Sequence, residues 1–166
     1  MMKAFDLSVG VFVRGLTNLK VQLTKGEAHA SSTGADPGSL LTAKLADDMY
    51  NLAVQVQWAG EGPKIAVHRL LGVASAPPAQ EAKSFDELHE RLDAVIADLG
   101  AVDPAALEAG LDRTIEMPHR GATKVYRGDQ FLTEFAIPGF FFHLTTAYAI
   151  LRHQGVPLRK GDFMGP

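Results

Sequence analysis

The chain contains no cysteine. That excludes disulfides, thiolate nucleophiles and cysteine metal sites, and it is compatible with a reducing compartment. Neither charge is in large excess: 16 Lys and Arg against 19 Asp and Glu leave a net charge of −3 with histidine neutral. A partner such as nucleic acid or an anionic membrane surface calls for a basic field, so neither is expected. No apolar run reaches the roughly 18 residues a membrane span requires. Met1-Met-Lys-Ala-Phe-Asp6 has no signal-peptide core, so the expected location is cytoplasmic. Internal repeats and low-complexity segments are missing. So are a glycine-rich phosphate loop and the Gly-x-Ser-x-Gly, His-Glu-x-x-His and Ser-x-x-Lys signatures. What remains is a chain of 166 residues, 46% apolar and 21% charged. One domain over residues 1–166, with a substantial core, is expected.

What the chain does have is helical periodicity. Phe5, Val9, Phe12, Leu16, Leu19 and Leu23 are spaced by fours and threes. They predict a first helix over Ala4–Lys25, stopped by Gly26, with a loop over His29–Gly38. A second helix is expected over Ser39–Ala59 on the stripe Leu41, Leu45, Asp48, Leu52, Gln55, Ala59. Asp48 and Gln55 are then polar residues on a face that should be buried. Gly60-Glu-Gly-Pro63 should break or kink this helix, since proline lacks a donor and crowds the preceding turn. The pattern resumes at Ile65, Val67, Leu70 and Leu71 and ends at Gly72, and Ala74-Ser-Ala-Pro-Pro-Ala79 reads as a stiff linker.

Ser84-Phe-Asp-Glu87 fits a capping box and opens a third helix on Phe85, Leu88, Leu92, Val95 and Leu99, with Gly100 as its C-terminal cap. Asp103-Pro104 starts a further short turn. Arg113–Met117 and Ala122–Tyr126 alternate like strands around the turn-rich Pro118-His-Arg-Gly121. Such a hairpin must pack on the helices to persist. The last helix is expected over Asp129–Gln154, closed by Gly155 and kinked near Ile137 by Pro138. Val156, Leu158 and Phe163 of the tail should dock back. Four amphipathic helices with a small hairpin before the last make an all-α four-helix bundle.

Pro138-Gly-Phe-Phe-Phe-His-Leu-Thr-Thr-Ala-Tyr-Ala-Ile-Leu-Arg-His-Gln-Gly-Val156 and Lys160-Gly-Asp-Phe-Met-Gly165 resemble a bacterial family known as domain of unknown function nineteen ninety-three. Asp48-Met, Gln55-Val-Gln-Trp58 and Arg69-Leu-Leu-Gly72 resemble its second-helix signature, so the similarity covers nearly the whole chain. The resemblance implies the DinB/YfiT-like superfamily of helical bundles, many of them metal-binding enzymes or thiol transferases and often homodimers. In the metal-binding relatives three histidines hold one divalent ion, such as Zn or Ni. One comes from the second helix and two from the fourth, four residues apart, because residues i and i+4 share a helical face. Carried over, the second-helix position falls at Asp47 or Asp48 and the first fourth-helix position at His143. The next is Ala147, which cannot ligate.

The candidate residues have both structural and chemical readings. His143, set among Phe140, Phe141, Phe142, Leu144 and Tyr148, reads as a packed histidine bonded to a neighbouring helix, or as a ligand or acid–base group. Asp48 and Gln55 read as a buried network with Arg14, Arg152 or His143, or as the lining of a polar pocket that also draws on Tyr148 and Arg152. His153 lies about 280° round the helix from His143 and beside Arg152 suits the helix C-terminus. Asp86-Glu-Leu-His89 and Glu116-Met-Pro-His119 have an acid three residues before a histidine but lack the further glutamates of a di-metal bundle. Trp58 and Tyr148 read as core or interface aromatics. Three functions follow. One is a non-enzymatic or small-molecule-binding bundle that lacks the superfamily's histidine triad, with no metal or other cofactor expected. Another is a degenerate divalent-metal enzyme, of hydrolase or thiol-transferase type, using Asp48, His143 and His68. The third is a structural or interaction protein with a dry core.

Overall fold

The structure, a computed structural model, describes residues 3–77, 80–119 and 121–165. Pro78 and Ala79 of the expected linker and Arg120 of the expected turn lie outside the described residues, as does the side chain of His119.

The chain opens with a single turn, α1 (Ala4–Leu7), and the long α2 (Val9–Thr33). The predicted stripe is buried from Val9 through Leu23. Gly26 does not stop this helix. It continues to Gly34, whose positive φ of 69° makes the left-handed cap that glycine adopts without cost. His29 is therefore helical.

The second predicted helix is displaced. A short α3 (Pro37–Thr42) begins on Asp36, whose carboxylate accepts from the Gly38 amide. The chain then leaves the helix, and α4 (Leu52–Leu71) starts afresh on Asn51, whose side chain accepts from Val54 N at 2.9 Å. Asp47 and Asp48 lie in the exposed connection. The physical reason is charge. An unpaired carboxylate on a buried stripe costs several kcal/mol, so the acid leaves the face that the spacing assigned to it. Pro63 neither breaks nor ends α4; it is buried inside it. Its missing donor costs one bond, but α4 is clamped between α5 (Phe85–Gly100) and the last long helix, and packing outweighs local propensity.

α5 starts as predicted. Ser84 Oγ accepts from Glu87 N at 3.1 Å, while the Glu87 carboxylate takes the amide of Lys83, one residue before the cap, at 2.9 Å. Phe85, Leu88, Leu92, Val95 and Leu99 are all buried. Gly100 is the last helical residue and not a left-handed cap; Ala101 caps in a right-handed conformation. α6 (Pro104–Gly110) has Asp103 as cap. The hairpin pairs β1 (Thr114–His119) antiparallel with β2 (Ala122–Arg127), His119 opposite Ala122. Ile115 and Tyr126 anchor it in the core.

Gly128–His153 is one continuous helix of 26 residues, composed of α7 (Gly128–Phe131), a π-helical turn (Leu132–Ala136) and α8 (Ile137–His153). The disturbance expected from Pro138 takes the form of this wide turn, after which the α-helix resumes with proline in its first two positions. By length and composition the helix could cross a membrane, with a mean hydropathy of 1.2. Here Phe140, Leu144, Ala147, Ile150 and Leu151 are buried in the bundle. α2 and α4 each pack on both α5 and α8, which makes the four long helices a bundle. The tail docks as expected. Val156 and Leu158 are buried, Phe163 meets the Tyr148 ring at 5.7 Å, and α9 (Lys160–Met164) lies on α2.

Candidate functional site

A cavity of about 490 Å³ opens between α4 and the last long helix, the size range of small-molecule sites. One face of each helix builds it. On α4 the wall is Trp58, Gly62, Ala66 and Arg69, spaced by four, four and three; on the facing helix it is Ala136, Gly139 and His143, spaced by three and four. Residues at these spacings share a helical face. The room comes from missing side-chain atoms: a Cβ built on Gly62 or Gly139 would meet nothing within 4 Å. Each glycine costs its helix about 1 kcal/mol relative to alanine. The π-helical turn contributes Phe135, stacked on Phe131 with ring centroids 5.5 Å apart. Met117 of the hairpin, Ser75–Pro77 of the linker and Tyr50 in the connection before α4 add to the wall.

His143 is the titratable group with a defined state. Its Nδ1 lies 2.8 Å from Gln55 Oε1, and Gln55 Nε2 donates to the Tyr50 carbonyl at 3.3 Å. The carbonyl can only accept, so the Gln55 amide nitrogen turns toward it and the amide oxygen toward the ring. Nδ1 must therefore carry the proton, which leaves Nε2 with its lone pair. Burial holds the His143 pKa below its ordinary value, favouring the neutral ring. Trp58 lies nearly parallel to the imidazole at 6.4 Å, and Phe142 meets it edge-on at 5.3 Å. Arg69 supplies the cavity's positive charge. Its Nη1 lies against Met117 Sδ, and among the described residues no carboxylate pairs with it.

The expected site residues are scattered. Gln55 and His143 meet. Asp48 is exposed in the connection before α4 and does not line the cavity. Arg14 is also exposed, so the buried network imagined around Asp48 is absent. Tyr148 packs on Phe163, and Arg152 donates to the Val156 carbonyl at 3.1 Å; both hold the tail. His68 turns to α5, where its Nε2 meets Asp98 Oδ2 at 2.8 Å. Trp58, read as a core or interface aromatic, is part of the cavity wall.

The superfamily's metal does not fit this arrangement. The α4 side chain facing His143 is an amide, Gln55, and one turn beyond His143 is the fully buried Ala147. Asp48, His68 and His143 occupy three separate environments. Among the described residues no three His, Asp or Glu side chains come together as a ligand set.

Sequence reasoning missed Arg69, Met117, Phe131, Phe135 and the two cavity glycines. The available signal was small residues at helical spacing, Gly62 with Ala66 and Ala136 with Gly139. Beside Pro63 and Pro138 it resembled helix breaking.

The family model described as Domain of unknown function (DUF1993) matches residues 4–164. The crystal structure of a DinB family member protein from Shewanella denitrificans is similar to this chain at 36% identity with a TM-score of 0.89, covering 98% of this chain and 92% of that one. A comparison with curated proteins gives no match.

Proposed function

The chain belongs to the DUF1993 family, and on that footing we propose that it is a ligand-binding member of the DinB-like bundles, taking a small organic molecule between α4 and α8. The observation that carries this is the cavity of about 490 Å³, walled by aromatic and small residues around the His143 imidazole, whose Nε2 has no hydrogen-bond partner among the described residues. In this reading His143 is a hydrogen-bond acceptor for the ligand and Gln55 is the residue that orients it. An inter-helix cleft with this lining argues against a purely structural protein with a dry core. The degenerate-metalloenzyme reading loses its support because Asp48 and His143 are apart.

Trp58 is the only tryptophan and lines the cavity, so its fluorescence reports occupancy. A neutral apolar dye such as Nile red should quench it saturably at one dye per chain. Quenching that is weak, non-saturating and unchanged in a variant with the cavity filled would sink the reading.

A homodimer and a cytoplasmic location belong to the same proposal. Support for the dimer comes from Phe141 and Phe142 on α8, which remain 38% and 56% exposed. Sedimentation velocity showing only monomer at high protein concentration would remove that part. The cysteine-free composition suits a reducing compartment.

A further inference from the structure

We propose that the ligand is an organic monocarboxylate with a flat apolar body, its acid group seated on Arg69. This rests on the cavity reading above and deepens it.

Arg69 is the carrying observation. A guanidinium stays protonated at any pH a protein meets and presents a planar fork of donors that matches a carboxylate. Taking a charge out of water without a partner costs free energy. Arg69 is half-buried, and among the described residues its nearest polar neighbour is the Met117 thioether, which has no charge to offer. Arg91, the other half-buried arginine among the described residues, shows the contrast: it reaches the Glu87 carboxylate and the Gln57 amide oxygen. Among the described residues no anion completes Arg69, and one would come from what fills the cavity.

The lining sets the rest of the ligand. Arg69 is the one cation among the described lining residues and no acid lines the cavity, so one negative charge is matched and a phosphate dianion is not. Ile65, Phe131, Phe135 and Phe140 offer apolar surface, and the nearly parallel Trp58 and His143 rings offer a flat one. A ligand O–H or N–H can in addition donate to His143 Nε2.

The test is calorimetric titration with three probes that share a phenyl ring: 3-phenylpropionate, its neutral isostere 3-phenylpropionamide, and phenyl phosphate. The carboxylate should bind at least tenfold more tightly than the amide. Arg69→Met should weaken the carboxylate far more than the amide, erasing that preference, while the melting temperature stays nearly unchanged, and Arg69→Lys should retain only part of the preference. Equal affinity for acid and amide, or a preference that survives Arg69→Met, overturns the carboxylate assignment and leaves the cavity reading standing. Tighter binding of phenyl phosphate than of the carboxylate overturns it also. If neither carboxylate nor amide binds, both readings fall.

Discussion

The Nδ1 of His143 on α8 and the Oε1 of Gln55 on α4 stand 2.8 Å apart across the bundle. Because Gln55 is itself turned by the Tyr50 carbonyl, this one contact sets the tautomer of the imidazole and the face it presents to the cavity. It also joins two helices that are distant in sequence.

Replacing Gln55 separates its two roles. Gln55→Leu leaves a ring N–H without its acceptor, and unfolding should become easier by about 1–3 kcal/mol in a urea titration. Gln55→Glu places a carboxylate at the same nitrogen and should raise the His143 pKa above its wild-type value, read by NMR titration of the ring protons. A pKa unmoved by Gln55→Glu would show that the contact does not form in solution.

Stability should depend on pH through His143. Burial holds its folded pKa below the ordinary 6.5. Between the depressed value and 6.5 the unfolded chain binds the proton and the folded chain does not, so stability rises with pH across that window. The contribution is complete above about 6.5 and is lost as pH falls through the folded value. His143→Gln should flatten this part of the curve. The difference between the two proteins isolates His143 from the His68–Asp98 and His89–Glu27 pairs, which both retain.

Gly139→Leu should fill the cavity without unfolding the protein. A Cβ there meets nothing within 4 Å, the residue lies inside α8, and leucine is the better helix former by up to about 1 kcal/mol. Nile red quenching of Trp58 should disappear while the melting temperature holds or rises. A large fall in melting temperature would mean that the space is not open.

Gly15→Ala should behave in the opposite way. Its Cβ would sit 2.6 Å from Cζ of Phe140, a ring already buried against Phe12 at 5.0 Å. The gain in helix propensity is about 1 kcal/mol, but forcing a methyl into a filled core costs about 1–3 kcal/mol. Net destabilisation is expected in denaturant titration. The two glycines are alike in sequence, and only the tertiary structure tells the crowded one from the open one.

Much of the framework was legible because local rules and the fold agreed. The stripes from Val9 to Leu23 and from Phe85 to Leu99, the Ser84 cap, the Asp103 cap and the hairpin follow from spacing and capping chemistry that act within a few residues. The second helix was misplaced because spacing alone counted Asp48 as part of a stripe. The cost of burying its charge, and the Asn51 cap further on, decided where α4 begins. Gly26, Gly60, Gly62 and Pro63 were read as breakers because their propensities are poor in isolation; packing from α2, α5 and α8 carries the helices through them.

The residues and their spacing alone determined that this chain is a helical bundle, that it has no cysteine chemistry, and that the position one turn after His143 is an alanine with nothing to offer a metal. Tertiary structure decided the site. Gln55 reaches His143, Asp48 turns out to solvent, and Gly62, Ala66, Ala136 and Gly139 face one another across a space beside Arg69. Those relations join segments some 70 to 90 positions apart, as the 88 between Gln55 and His143 illustrate. Periodicity records which face of a helix is apolar, but a cavity exists only where two faces meet and both lack the atoms to fill it.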